Sequence, residues 1–191
     1  MTANGRQNFC AKDVFALVLG LWCALFQSIS YGSQHRYNEL DLKAAYIFNF
    51  MKFVEWPEER SDALPQINVC AYSGDPILAK LKRLESQRIR NLKVVLQVYD
   101  SAADVNQCQL IYLNVISAEK RAEILQAVKN KPVLTIGHEG RYSDDDEIIT
   151  FFAKNNRLRF DINYRQAQQG GLQISSRLLR LARVSEQPQD D

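Results

Sequence analysis

A long apolar segment between Asn38 and Pro57 constrains the fold of this chain more than any other feature. Its apolar residues recur every three or four positions, the spacing that places side chains on one face of an α-helix. These residues are Leu40, Ala44, Ile47, Met51 and Val54, and Phe48, Phe50 and Phe53 widen the stripe. A helix this apolar needs a cover, so we expect a sheet or another protein to pack against it.

The two ends of this segment carry helix boundary signals. Asn38 is a suitable N-cap, Glu39 and Asp41 place negative charge in the first turn, and Pro57 ends the helix just after Trp56. Two interpretations of its aromatic side chains remain open, a buried core or a docking surface, and the core is favoured. The residues concerned are Phe48, Phe50, Phe53 and Trp56.

The first 32 residues have the order of a secretory signal peptide. Arg6 and Lys12 precede the apolar run Val14–Phe26, and small residues follow up to Gly32, after which we expect cleavage. A run of about 13 residues is short for a membrane span. An uncleaved anchor is the alternative.

Removal of that segment leaves about 160 residues, enough for one domain with a single core. We assign residues 33–184 to this domain and residues 185–191 to a disordered polar tail. The formal net charge falls from +2 to about +1, because Arg6, Lys12 and Asp13 are lost. This balance argues against a nucleic-acid partner and against polybasic binding to a membrane surface.

Two of the four cysteines, Cys70 and Cys108, lie beyond the signal segment. In an oxidising compartment, two remaining thiols indicate one disulfide. Closing a loop of this length stabilises the fold by up to about 4 kcal/mol on the chain-entropy estimate. Two separately buried thiols are the alternative, and a metal pair is disfavoured because no further ligands stand at a zinc-like spacing.

Strand and helix patterns alternate along the middle of the chain. The predicted strands are Ile67–Tyr72, Leu92–Tyr99, Gln109–Val115 and Val133–Gly137. The predicted helices are Ile77–Ser86, with Asp75 as cap and Pro76 in the first turn, and Ala118–Asn130, capped by Ser117. This alternation predicts an α/β fold with a single domain and a mostly parallel central sheet flanked by helices.

The pattern changes near the carboxyl end. Ile148–Ala153 and Leu158–Ile162 flank a polar turn and predict an antiparallel hairpin at the sheet edge. Ser175 then caps a predicted last helix, Ser176–Val184, on which three arginines recur every third residue. These are Arg177, Arg180 and Arg183. They form either a solvated face or a surface for an acidic partner.

No segment carries a strong catalytic signature. The turn Ser73–Pro76 could seat an anion, but it lacks the spaced glycines and lysine of phosphate-binding loops, so a plain turn is favoured. His138, Glu139 and the acidic run Asp144–Glu147 lack the spacing of a calcium loop, which favours a solvated loop. No G-x-S-x-G elbow is present, so we expect no enzyme, no cofactor and no metal site.

Six ordered segments between Asp41 and Val184 resemble the YfiR family of exported bacterial regulators. They are DLKAAYIFNFMKFVEWP, INVCAYSGDP, the strand start CQLI at Cys108, PVLTIG, RFDIN and GLQISSRLLRLARV. The resemblance implies a periplasmic α/β protein that is dimeric, with the Cys70–Cys108 pair oxidised. It also implies an inhibitor that binds the periplasmic domain of a membrane diguanylate cyclase and thereby limits cyclic-di-GMP signalling and biofilm formation.

The resemblance suggests a partner surface near the carboxyl end. Its residues are Phe160, Asp161, Ile162, Arg177, Arg180 and Arg183. Asp161 is equally interpretable as a paired structural carboxylate. The alternative function is a small-molecule binding module, with a pocket formed by Ser73–Asp75 and Leu113–Ser117 at the carboxyl ends of parallel strands. A hydrolase using His138 as its base is a third hypothesis.

Overall fold

The long apolar segment forms helix α1, Glu39–Phe53, as its spacing predicts, but the helix ends three residues before the predicted Trp56 because Val54–Glu55 pairs as a short strand instead. Ala44, Ile47, Met51 and the following Val54 are at most 5% exposed, which confirms the predicted stripe. Phe50 is fully buried, whereas Phe48 and Phe53 are half-buried. The structure is a computed structural model and describes residues 39–57, 66–114, 116–138 and 147–185.

Helices and strands alternate along the described chain. The remaining helices are α2 (Leu78–Leu81), α3 (Ala118–Val128), α4 (Tyr164–Gln169) and α5 (Ser176–Leu179), with 3-10 turns at Lys82–Leu84 and Ala102–Gln107. The strands are β1 (Val54–Glu55), β2 (Gln66–Tyr72), β3 (Arg88–Ile89), β4 (Leu92–Tyr99), β5 (Leu110–Tyr112), β6 (Leu134–His138), β7 (Ile149–Lys154), β8 (Arg157–Asn163), β9 (Gln173–Ile174) and β10 (Arg183–Ser185).

Eight of these strands form one sheet in the order β10-β8-β7-β6-β5-β2-β4-β3. Five of its seven strand pairs are parallel, and β3–β4 and β7–β8 are antiparallel. This confirms the mostly parallel sheet and the antiparallel hairpin. Strand β10 pairs with the last three residues of β8, Asp161–Asn163, so among the described residues the hairpin lies at the sheet edge only over Arg157–Phe160. The short strands β1 and β9 form a separate antiparallel pair.

Helices cover both faces of the sheet. On one face α1 packs with Val69 and Ala71 of β2 and with Leu110 and Tyr112 of β5. The intervening residues point the other way, where α3 and the second 3-10 turn form a smaller core. Alternation along the strands therefore gives β2, β5 and β6 two buried faces, as is typical of parallel sheets.

Rings from α1 and the hairpin form the densest part of the larger core. Phe50 lies edge-on to Phe160 with ring centroids 4.9 Å apart, and Tyr46 contacts both Phe160 and Phe151. These contacts join the first described helix to the carboxyl-terminal hairpin. The core interpretation of Phe50 is therefore confirmed.

Two further predicted helices are shorter than expected by more than two residues. The helix predicted over Ile77–Ser86 ends as a 3-10 turn at Leu84, and Ser86 has a positive φ of 70°. Asp75 does not cap α2 directly; its Oδ1 accepts a hydrogen bond from the Ile77 N–H at 2.9 Å in the preceding turn. The predicted last helix ends at Leu179, because Arg183–Ser185 pairs with β8 instead. Strand pairing overrides the helical spacing there.

Several expectations concern residues outside the described ranges. They are the signal peptide 1–32, the Asn38 cap, Glu139, Asp144–Asp146 and residues 186–191 of the predicted tail. Ser185, which we assigned to that tail, is instead the last residue of β10. Among the described residues, no helix has the length and apolar character that crossing a bilayer requires.

Candidate interaction surface

A disulfide joins Cys70, in the middle of β2, to Cys108, two residues before β5. Their Cα atoms are 5.9 Å apart, within the usual range for a disulfide, and both side chains are 1% exposed. The bond lies in the smaller core beside Tyr99, Val105 and Ile111. The predicted disulfide is therefore confirmed, and the hypotheses of free thiols and of a metal pair are wrong.

Hydrogen bonds also connect the residues just before β5 to β2. The Asn68 N–H donates to Gln109 Oε1 at 2.7 Å, and the Gln109 N–H donates to the Asn68 carbonyl at 3.0 Å. Trp56 is half-buried and donates from Nε1 to the Gln109 carbonyl at 3.2 Å. The start of β5 is thus fixed to β2 by a covalent bond and to the end of the α1 segment by a hydrogen bond.

Three of the six predicted partner residues lie on β8, and two of these are in the core. Phe160 is 4% exposed and Ile162 is fully buried, so neither side chain presents a surface to a partner. Asp161 points to the opposite face of the strand, which is partly exposed. Both side chains belong to the larger core.

Asp161 pairs with Arg183 across the β8–β10 junction. Arg183 Nε donates to Asp161 Oδ1 at 2.8 Å, and Nη2 donates to Oδ2. The Arg183 guanidinium also lies over the Phe152 ring, 4.7 Å from its centroid. The hypothesis of a paired structural carboxylate is therefore confirmed for Asp161.

The three predicted arginines do not form one helical stripe. Arg177 lies on α5, Arg180 lies in the turn after it, and Arg183 lies on β10. All three side chains are exposed. The stripe is wrong as a geometric prediction because the helix ends four residues before Arg183.

A further group of basic residues on the hairpin was not identified from the sequence. Lys154, Arg157 and Arg159 are exposed on β7 and β8, and they line a surface groove of about 520 Å³. Phe152, Leu181 and Arg183 also line this groove, which we call the hairpin groove. Its sequence signal was the alternation of Arg157 and Arg159 with the core-facing Leu158 and Phe160, a period of two.

The sequence of the described domain matches a known protein family. Residues 40–183, which are 144 of the 191 residues, match the family model described as YfiR/HmsC-like. The chain belongs to the YfiR/HmsC-like family. At the level of the family, this assignment indicates a periplasmic regulator in diguanylate cyclase signalling. The disulfide of this YfiR/HmsC-like protein fits an oxidising compartment.

The carboxyl ends of β2, β4 and β5 meet where the strand order reverses, because β2 lies between β4 and β5. Asp75, which follows β2, is 3% exposed, and its Oδ2 has no hydrogen-bond partner among the described residues. The Tyr99 hydroxyl donates to the Tyr112 carbonyl at 3.0 Å. Burial, with a smaller effect from the Asp75 charge, raises the pKa of Tyr99. The ligand pocket predicted here stays a prediction.

His138 ends β6 beside the first turn of α1. Its Nε2 is 3.8 Å from Glu39 Oε1, and the same oxygen is 2.7 Å from Lys43 Nζ. The hydrogen bond from Lys43 lowers the pKa of Glu39. Within the described ranges, no group of three or more His, Cys, Asp or Glu side chains is arranged to hold a metal ion.

The last residue of the predicted acidic loop is not solvated. Glu147 is 4% exposed and forms a two-point ion pair with Arg121 of α3. The solvated-loop interpretation is therefore wrong for Glu147. It followed from adjacency to three aspartates, which indicates nothing about a basic partner on a distant helix.

Proposed function

We propose that this YfiR/HmsC-like protein binds the periplasmic sensor domain of an inner-membrane diguanylate cyclase and represses the enzyme. Repression would lower cyclic-di-GMP synthesis and biofilm formation. The family match over residues 40–183 carries this proposal. The protein would act by binding alone, without a cofactor or a catalytic step of its own.

Such a regulator works through differential affinity. It shifts the equilibrium between two conformations of the sensor domain only by the difference between its affinities for them. A rigid surface favours this mechanism, because a protein that is already ordered loses little entropy on binding. The disulfide between β2 and β5 supplies rigidity in the centre of the sheet. Reduction of this bond would weaken the docked form and release the cyclase.

We assign the contact surface to the exposed arginines near the carboxyl end. Arg177 and Arg180 are the exposed members of the predicted set for which no salt bridge to a described carboxylate is found, while Arg183 is held by Asp161. Arginine is enriched at protein interfaces because its planar guanidinium binds carboxylates at two points. Phe160 and Ile162 would support this surface from the core.

Calorimetric titration with the purified sensor domain of the cyclase tests the proposal. We expect binding by the oxidised wild-type protein, and weaker binding after Arg177→Glu with Arg180→Glu. The matched control is Lys129→Glu with Lys131→Glu, which makes the same charge change on a different exposed surface. Cyclase activity in membranes should fall on addition of the wild-type protein. Absence of binding by the wild-type protein to the sensor domain would refute the proposal.

The buried Asp75 favours a second candidate function, small-molecule binding where β2, β4 and β5 end. Its unpartnered Oδ2 would accept a hydrogen bond from an amine or hydroxyl of a ligand. A screen of small amines and polyols by thermal shift, with Asp75→Asn as the matched variant, tests this function. A compound that stabilises the wild-type protein and not the variant would support it.

A further inference from the structure

The hairpin groove concentrates positive charge on one face of β7 and β8. Register places Lys154 directly opposite Arg157, and Phe152 directly opposite Arg159, so these four side chains share a face. In the described part of the chain, no carboxylate forms an ion pair with Lys154, Arg157 or Arg159. Like charges directly opposite each other destabilise a strand pair. The free protein therefore carries an electrostatic cost here that an anionic partner would relieve.

Apolar surface accompanies this charge. Leu181 is 68% exposed and is one of two large apolar side chains that are exposed among the described residues. It lines the groove together with Phe152, whose ring lies under the Arg183 guanidinium. An exposed leucine among cations fits a partner that has both acidic and apolar side chains.

The backbone of β8 is open beside the groove. Strand β10 pairs only with Asp161–Asn163, so within the described ranges Arg157–Phe160 has no strand neighbour on that side. An uncovered strand edge offers regularly spaced N–H and C=O groups. A peptide backbone matches these groups, as in strand addition, whereas a nucleic acid or a lipid headgroup has no equivalent ladder.

We propose that the hairpin groove docks an acidic protein segment with alternating apolar residues, bound in an extended conformation. Carboxylates of the segment would contact Lys154, Arg157 and Arg159, and an apolar side chain would pack on Leu181. The inference rests on the proposed function in taking this segment to belong to the cyclase's sensor domain. Arg177 and Arg180 do not line the groove, so charge reversal at these two arginines and charge reversal in the groove change different side chains.

A labelled peptide tests the groove without the cyclase. The probe is a fluorescein-labelled hexapeptide of alternating Glu and Val, and the control is a hexapeptide of alternating Lys and Val. Each peptide is titrated with the full-length protein purified from the periplasm of an expressing bacterium. We expect the acidic peptide to bind, and its affinity to fall about tenfold in Arg157→Glu with Arg159→Glu. Lys129→Glu with Lys131→Glu changes net charge equally and should leave the affinity within about twofold.

A second variant separates docking from general electrostatics. Leu181→Ser changes no charge. Because the Leu181 side chain is already exposed, the variant should keep the unfolding temperature of the wild-type protein but bind the acidic peptide with lower affinity. Equal affinities for the acidic and basic peptides, or equal losses in the two charge-reversal variants, would overturn the proposal. Binding of phosphatidylglycerol vesicles or single-stranded DNA through Arg157 and Arg159, without peptide binding, would also overturn it.

The sensor domain provides the final arm of the test. If Arg157→Glu with Arg159→Glu abolishes binding of both the peptide and the sensor domain, the segment that fills the groove belongs to the cyclase. Loss of the peptide with full retention of the sensor domain would uphold the groove and overturn its assignment to the cyclase. If the wild-type protein fails to bind the sensor domain, the proposed function fails while the peptide result still decides the groove.

Discussion

Arg121 and Glu147 form a two-point ion pair inside the protein. Arg121 Nε lies 2.6 Å from Glu147 Oε1, and Nη2 lies 2.5 Å from Oε2. The two side chains are 7% and 5% exposed, so neither charge is solvated. The pair joins α3 to the residues just before β7. It thereby fixes where β7 enters the sheet, and with it the hairpin that carries the candidate surface.

Breaking this pair should destabilise the protein strongly. Arg121→Met or Glu147→Leu alone removes one member of a buried ion pair, and each should lower the free energy of unfolding by about 3–5 kcal/mol, because the remaining charge stays buried without this contact. The double variant should lose much less than the sum, because neither charge then remains. Urea unfolding measures all three values. Additive losses in the double variant would contradict a mutual pairing.

Removing the disulfide should cost stability in the oxidised protein only. Cys70→Ser with Cys108→Ser should lower the free energy of unfolding by about 2–5 kcal/mol, because the unfolded chain regains the freedom of the loop. The two positions are 38 residues apart. Thermal unfolding with and without dithiothreitol measures the effect. Reductant should destabilise the wild-type protein and leave the variant unchanged, and the opposite result would remove the disulfide from the proposed mechanism.

Truncation of two neighbouring phenylalanines should separate core from surface on α1. Phe50 is fully buried among Tyr46, Phe151 and Phe160, so Phe50→Ala should cost about 3–5 kcal/mol. Phe48 is half-buried on the same helix, and Phe48→Ala should cost clearly less. Denaturant unfolding measures both variants. Equal losses would mean that Phe48 is also covered, by a second protein chain for example.

Hydrophobic periodicity predicted the helix and strands whose buried residues follow a regular spacing in the sequence. The stripe on α1 fixed its buried face, and the apolar runs at Ile67–Tyr72 and Leu92–Tyr99 became β2 and β4 within one residue at either end. The predictions for these segments agree with the structure because the apolar residues of each segment are buried regardless of which other element packs on them. The cysteine pair was predictable for a similar reason, since only two thiols remained to combine.

Features set by distant pairing could not be predicted. Arg183 has the spacing of a helical residue, but its ion pair with Asp161 and the ladder to β8 extend the chain instead. Glu147 follows a run of acids, yet its partner Arg121 is 26 residues away on α3. Local spacing carries no information on which strand edge is still uncovered, and so β10 and the hairpin groove were missed.

The turn that leads into Cys108 should make the free energy of unfolding depend on pH in the acidic range. Asp104 Oδ2 accepts hydrogen bonds from the Ser101 N–H and hydroxyl, both at 2.9 Å, and from the Asp100 N–H at 3.1 Å. The Asp100 and Ser101 backbone hydrogen bonds, in that order, lower the pKa of Asp104. Its stabilising effect is therefore complete above the unfolded pKa of about 4 and is lost as pH falls through the lower folded value.

Replacement of Asp104 by Asn should reproduce this dependence. The variant should unfold at a lower temperature than the wild-type protein at pH 7, and the difference should shrink as the pH falls below about 4, because the wild-type carboxylate is then protonated. Glu123→Gln, which removes one negative charge from an exposed position on α3, controls for net charge. Thermal unfolding followed by circular dichroism from pH 2 to pH 7 measures the three proteins. A difference that stays constant over this range would mean that the carboxylate charge of Asp104 contributes nothing to the turn, leaving only its shape.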